Sequence, residues 1–437
     1  MGLPAVLHNR DFDLYWSGVV LSQIGTRGTV AANLYQVYDL TGSVAQTGLV
    51  GAAQAVALLI LSPLGGALAD RYDRRRLLQW AQLASLVVAL GLATVTLAGD
   101  AKPWHVILCA LLTTAAATFD QPARQALIPA LVPREQLGQA IALLNPSREI
   151  AVLIGPALAG LLIAANGPGL MYALDVVTYA ALIVVLAVLR VPALTPSAEA
   201  RRSVLASIAE GARYVRRRPL IWKLMSLDVA ATVFSAYRVV LPALAIDVLH
   251  VGPSGYGLLS SAPSAGALLA TYTVFRVVGR SQRLGRVLLV STALYGVSAI
   301  LLVQSPLFVL TLLAALFLGA FDAMATTIRH AAVQIETPDE LRGRVQAFYQ
   351  MSSRGGPALG DVMVGSIAAL VGPVAALSLG ALVTLAVAAG FASRPNVVRE
   401  YKGVALREDD ADRAPPEDED SRAAPVDEQV TQPRRGG

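Results

Sequence analysis

The sequence predicts an all-α membrane protein with twelve transmembrane helices in two parallel six-helix repeats. Three observations point there. Of 437 residues, 55% are hydrophobic and 15% charged, against about 25% charged in an ordinary soluble domain, and mean hydropathy is +0.57. Apolar runs of roughly 20 residues, enough to cross a hydrocarbon core of about 30 Å at 1.5 Å per residue, recur along the chain. A block near residue 130 returns 205 residues later.

The expected spans, in order, are 12–37, 44–69, 76–98, 104–123, 139–164, 168–189, 220–247, 255–278, 285–303, 306–328, 342–370 and 373–392. Runs rich in Ala, Leu and Val do not suit the short alternating strands of a membrane barrel. Span 1 follows MGLPAVLHNRDFDLYW, which lacks the basic start, short apolar run and cleavage site of a secretory signal, so span 1 is expected to be retained. Spans 2 and 3 flank ADRYDRRR, with six charges in seven residues from Asp70 to Arg76. Spans 4–5 and 10–11 bracket the repeat. A shift of 205 pairs Arg124 with Arg329, Pro133 with Pro338, Glu135 with Glu340 and Gly138 with Gly343. It also pairs Ala142 with Ala347, Ser147 with Ser352, Gly155 with Gly360 and Gly160 with Gly365. An even number of spans separates the copies, so they point the same way, as in transporters whose halves are related by an axis along the membrane normal. The expected organisation is a first half at 1–190, a linker at 191–219, a second half at 220–393 and a tail at 394–437.

Charge sets the expected orientation, because Lys and Arg concentrate on the cytoplasmic side. Of the 35 basic residues, 30 fall on the side of both termini, four (Arg27, Arg148, Arg238, Arg354) within spans, and Lys102 alone on the opposite side. Both termini are therefore expected in the cytoplasm, in a cytoplasmic (inner) membrane. Residues 201–217 of the linker fit a basic amphipathic helix on an anionic leaflet or a plain tether. From Arg407 the tail holds ten acids and five Arg, a composition expected to stay disordered.

Several chemistries are excluded. Cys109 is the sole cysteine and the four histidines are scattered, so no disulfide, Cys-based zinc site or other metal site is implied. Lys102, Lys223 and Lys402 are the only lysines and none precedes Ser or Thr, so the chain has no Walker A phosphate loop. No nucleophile-elbow or HExxH signature is present, and the chain is expected not to be an enzyme.

The charged turn, Gly66-x-x-x-Asp70-Arg71-x-x-Arg74-Arg75, resembles the loop 2–3 signature of the major facilitator superfamily, with Asp73 where that signature usually has Gly. The variant is similar to the enterobactin-exporter-like and DHA3-type drug exporter branch. So are LYQVYDLTGS, LIPALVPREQLGQAIALLN, GARYVRRRPL and YRVVLPALAID. The resemblance spans roughly residues 10–392. A second motif, Gly155-Pro156-Ala157-Leu158-Ala159-Gly160, resembles the span 5 antiporter motif, with Ala159 replacing a Gly; an ordinary packing kink is the alternative. The resemblance implies a cytoplasmic gate in which the loop 2–3 knot touches the opposite half. Gly66, Asp70, Arg71, Asp73, Arg74 and Arg75 would form it. Asp70 would face the start of span 11 near Gly343, and the arginines would hold acids and carbonyls. Asp120 and Arg124, at i,i+4 spacing, would add a gating or structural ion pair.

Ionisable groups cost about 2.5–3.5 kcal/mol each at mid-bilayer and usually face protein or a water-filled cavity. The resemblance places spans 1, 4, 7 and 10 around a cavity and spans 5 and 11 between the halves. Asp228, Asp322, Glu149 and Asp361 are the candidate proton-coupling acids, Asp228 first because no base adjoins it. Arg27, Arg238, Arg148, Arg354, Gln54 and Tyr237 are candidate cavity residues. Arg27 and Arg238 would attract an anionic or catechol-like substrate or neutralise the buried acids. Arg354 and Asp361 lie two turns apart on one face, with room between them. Asp175, off the cavity helices, suits a structural hydrogen bond. The expected function is export of a small amphiphile, siderophore or drug-like, by proton antiport and alternating access. An uptake symporter and a non-transporting receptor or scaffold are the alternatives. A small-molecule substrate and membrane lipid are the expected partners, with no nucleic acid. No cofactor is expected beyond the proton gradient, and monomeric operation is implied by the resemblance.

Overall fold

The computed structural model describes residues 5–71, 73–189, 204–281 and 283–402. Within these, the side chains of residues 5, 62–71, 145, 204–208, 347 and 354 lie outside the description. The fold is helical: α1 (Arg10–Thr41), α2 (Val44–Arg71), α3 (Arg74–Leu97), α4 (Pro103–Leu131), α5 (Leu137–Asn166) and α6 (Pro168–Val188) form the first bundle. Linker helix α7 (Val204–Arg217) comes next. The second bundle is α8 (Pro219–Val229), the three-residue α9 (Leu241–Ala243), α10 (Gly252–Arg280), α11 (Leu284–Gln304), α12 (Phe308–Ile335), α13 (Asp339–Val371) and α14 (Pro373–Ser393). Among the described residues nine helices are long and apolar enough to cross a membrane. α1, α13 and the broken seventh span carry more polar groups and fall outside that count.

Local chemistry sets the ends. Asn9 caps α1, its side chain accepting from the Asp11 and Phe12 amides, and Gly42 closes it in the left-handed region at φ 60°, where a side chain would be strained. The turns entering α6 and α14 are one device used twice. Gly167 and Gly372 have φ of 77° and 84°, and Pro168 and Pro373 open the next helix, where the missing amide costs nothing. They too are 205 residues apart, extending the repeat.

The seventh span is not continuous. After α8 come a π-helical turn at Ala230–Phe234, an open stretch through Val240, then α9 and a second π turn at Leu244–Val248. Pro242 has no N–H to give and its ring crowds the carbonyl four residues back, which is that of Arg238. The freed groups are taken up by neighbours. Thr384 donates to the Ala230 carbonyl at 2.9 Å and pairs with Ser235 Oγ at 2.8 Å, and Tyr295 donates to the Ser235 carbonyl at 3.3 Å. A broken span is tolerable in lipid only when its backbone is satisfied in this way.

Linker helix α7 is bound to the second bundle. Gly211 lies against the Arg344 backbone, Arg344 pairs with Glu210, and Tyr214 donates to the Glu336 carbonyl at 3.3 Å. Val215 is buried with Ile221, Met225, Val333, Val345 and Tyr349.

Candidate functional site

The bundles meet along two crossings related by the repeat, α2 with α13 and α5 with α10. Both are paved with glycine at the end where α1 terminates. A Cβ on Gly160 would stand 2.7 Å from the Gly257 Cα and the Pro253 carbonyl, and one on Gly48 would stand 2.7 Å from the Asp361 carbonyl and 3.4 Å from the Gly365 Cα. Gly155 packs on α1, where its Cβ would meet Gly28 N at 2.8 Å and Arg27 Cβ at 2.7 Å. Its repeat mate Gly360 packs on the π turn of span 7, against Thr232 and Val233 carbonyls. The Gly155–Pro156–Gly160 motif is thus a close-packing surface, facing α1 at one glycine and α10 at the next. Polar contacts reinforce this end: Tyr38 donates to Asp247, Tyr256 donates to the Ala31 carbonyl at 2.9 Å, and the Tyr35 and Tyr256 rings lie 5.4 Å apart.

At the arginine-rich end the described hydrogen bonds of the charged turn stay within the first bundle. Arg74 donates to the Ala126 carbonyl at 3.2 Å; Arg75 donates to those of Leu186 and Ala187 at 2.6 and 2.8 Å. Asp73 accepts from the Arg76 amide at 2.9 Å and caps α3, which explains how Asp serves where the superfamily signature has Gly. Arg74 and Arg75 thus hold backbone carbonyls, as expected of the arginines, and these carbonyls belong to α4 and to the last turn of α6 in their own bundle. The side chains of Gly66, Asp70 and Arg71 lie outside the described residues. Asp120 and Arg124 pair at 2.5 Å, with Gln82 donating to Asp120 and Ser22 in reach of Arg124 at 3.4 Å, again all in the first bundle. Along α5, residues 148–150 are exposed whereas 155, 156, 159 and 160 are buried. The described glycine and tyrosine contacts close the bundles together at the end where α1 terminates.

The interior charges form two inter-helix pairs in the second bundle. Arg329 of α12 bonds Asp228 of α8 at 2.6 Å, with side chains 1% and 3% exposed. The reading of Asp228 as an acid without a base is corrected: its base comes from a helix a hundred residues on, beyond any local spacing pattern. Arg329 also donates to Thr326 at 3.0 Å. Arg238, projecting from the break in span 7, bonds Asp361 of α13 at 2.7 Å, with exposures of 36% and 1%. Asp361 therefore answers to Arg238; the side chain of Arg354 lies outside the described residues. Asp322, half-buried one turn before Thr326, is near enough to Arg329, Asp228 and Glu149 to feel their charges. Glu149 and Arg148 are exposed on α5; Arg27, Gln54 and Tyr237 are half-buried. Asp175 accepts from Thr29 at 2.7 Å and Thr178 at 3.2 Å, the structural role its position suggested.

Arg124 and Arg329 are repeat mates with different partners. Position 325, the mate of Asp120, is Ala, and the acid is supplied instead by Asp228 from span 7. The first bundle thus keeps its pair within one helix, while the second ties two helices together.

Residues 3–427 match the family described as transmembrane secretion effector. The chain belongs to that family, within the major facilitator superfamily. Among curated relatives, the enterobactin exporter EntS of Citrobacter koseri is 29% identical over 344 residues, covering 79% of this chain and 82% of its own. That of Shigella boydii serotype 18 is 29% identical over 343 residues, covering 78% and 82%. Solved structures share the fold at low identity. The nucleoside transporter NupG has a TM-score of 0.69 at 16% identity, covering 90% of this chain and 100% of its own. A POT family transporter in complex with 5-aminolevulinic acid has a TM-score of 0.71 at 12% identity, covering 88% and 96%. Members of the superfamily are transporters, not enzymes, and this secretion effector is a multi-pass membrane transporter.

Proposed function

We propose that this secretion effector exports a small amphiphile of the siderophore or drug class across the cytoplasmic membrane by alternating access and proton antiport. The observation that carries the export reading is the similarity to enterobactin exporters across four-fifths of both chains. The split of 30 basic residues on the side of the termini against Lys102 on the other supports an arginine-rich end that faces the cytoplasm, with the glycine-paved end outward. Arg238, Tyr237, Arg27, Gln54 and the exposed Arg148 border the path between the bundles.

Antiport needs a group that trades a proton against cargo. Asp228, Asp322 and Arg329 bring two carboxylates to one guanidinium, one negative charge in excess. Like-charged acids sharing a site favour a proton on one of them. Asp228 holds the direct bond to Arg329, whereas Asp322 reaches it only through Thr326, so Asp322 is the acid that exchanges. One charge moving through 100 mV releases about 2.3 kcal/mol, which sustains roughly a fiftyfold gradient.

The test is purified protein in liposomes with a catecholate siderophore inside and a pH-sensitive dye. Cargo-dependent proton flux opposite to cargo supports the reading. Flux in the same direction means symport, and binding without flux means a receptor; either overturns it. Asp322→Asn is expected to abolish proton flux while keeping cargo exchange.

A further inference from the structure

The described chain ends at a basic surface, and the sequence turns acidic from Glu408 onward. Val398 and Tyr401 are buried in a cluster with Leu284, Leu288 and Leu224, and Leu220 packs against it. The Gly285 amide donates to the Tyr401 carbonyl at 2.9 Å. The point where the tail departs, the α10–α11 turn and the end of linker helix α7 therefore converge. Their outward side chains are arginines: Arg216, Arg217, Arg218, Arg280, Arg283 and Arg286 are all exposed. The cluster leaves them uncovered. Arg218 lies over the Tyr214 ring at 5.5 Å; of the acids close by, Glu210 is paired with Arg344 and the exposed Glu400 is a single carboxylate beside Tyr401, against six arginines.

Beyond Lys402 the chain runs 35 residues further, with Glu408, Asp409, Asp410 and Asp412 opening a stretch that continues with Glu417, Asp418, Glu419 and Asp420. Asp410 is eight residues from Lys402, a reach of up to about 26 Å. We propose that the acidic segment 408–420 docks on this arginine surface of its own chain, in place of the anionic lipid that linker arginines would otherwise meet. The tether supplies a high effective concentration, so modest surface pairs suffice. The stretch 408–412 has the right sign, and nothing in its length prevents contact with both α7 and the α10–α11 turn.

Crosslinking in the full-length protein tests this, in nanodiscs made with zwitterionic lipid and again with anionic lipid. Gly279→Cys is placed beside Arg280, where an added Cβ meets open space, and Ala411→Cys lies between Asp410 and Asp412. Both are made on a Cys109→Ala background, because Cys109 is the one native thiol. A short bismaleimide is expected to join them in both lipids. Replacing Glu408, Asp409, Asp410 and Asp412 by their amides is expected to slow joining about tenfold, the sum of several exposed pairs. Raising salt to about 0.5 M is expected to slow it similarly. Equal rates for acidic and amidated tails would mean mere tethering and overturn the proposal. Joining in zwitterionic lipid that vanishes in anionic lipid would assign the arginines to the membrane and overturn it too.

Discussion

The Asp228–Arg329 pair supports a quantitative test of how the second bundle is held together. Asp228→Asn leaves the guanidinium in place, 1% exposed, with its 2.6 Å partner reduced to a neutral amide. Removing one member of a buried pair costs about 3–5 kcal/mol. Asp322 remains close enough to offset part of that, so the expected loss lies near the lower bound, about 3 kcal/mol. Arg329→Met strands Asp228 instead and is expected to cost a similar amount. Asp228→Leu with Arg329→Met removes both charges and both desolvation penalties, and such replacements are often close to neutral. The two single losses, together about 6 kcal/mol, should therefore exceed the loss in the double variant by about that amount. Unfolding free energies from detergent titration, followed by tryptophan fluorescence, measure it. Single variants as stable as the parent, or a double variant as unstable as the summed singles, would refute the reasoning.

Further outcomes rest on the same geometry. The Arg238–Asp361 pair should be asymmetric: Asp361→Asn leaves a cation that is 36% exposed and costs under about 1 kcal/mol. Arg238→Gln strands a carboxylate that is 1% exposed and costs about 3 kcal/mol in the same titration. Gly160→Val places a side chain where only 2.7 Å separates a Cβ from Gly257 and Pro253, so thiol labelling of Ala31→Cys, buried in the parent, should rise severalfold; Gly138→Ala, with nothing within 4 Å, should leave labelling unchanged. Thr384→Val removes two of the three bonds that seal the break in span 7 and should cost about 1–3 kcal/mol, with Thr384→Ser restoring most of it.

Hydropathy made the spans legible because lipid imposes one length and one composition on each. Where the expected ends fall short, the reason is specific. Span 4 was expected to stop at 123 and span 10 at 328, yet α4 reaches Leu131 and α12 reaches Ile335. In both, an arginine ends the apolar run at the next position, and the helix continues because Arg124 and Arg329 find acids inside their bundle. The Asp120–Arg124 pair could be read from i,i+4 spacing. Asp228–Arg329 and Arg238–Asp361 could not, since the partners lie 101 and 123 residues apart. The break in span 7 had a signal in Pro242, and the Gly-Pro turns at 167 and 372 had one in the repeat itself. The charged knot was recognisable as a motif, but which carbonyls its arginines grasp depends on how the bundles tilt, and spacing carries no information on tilt.

The glycine-paved crossings bear on the speed of the transport cycle. Where helices touch through bare backbone, nothing is interlocked, and separating them asks no side chain to leave its rotamer well. Such a surface behaves as a smooth bearing rather than a ratchet. Hydrogen bonds from Tyr38 to Asp247 and from Tyr256 to the Ala31 carbonyl latch this surface, so on the alternating-access reading proposed above their release would set the pace at which it opens.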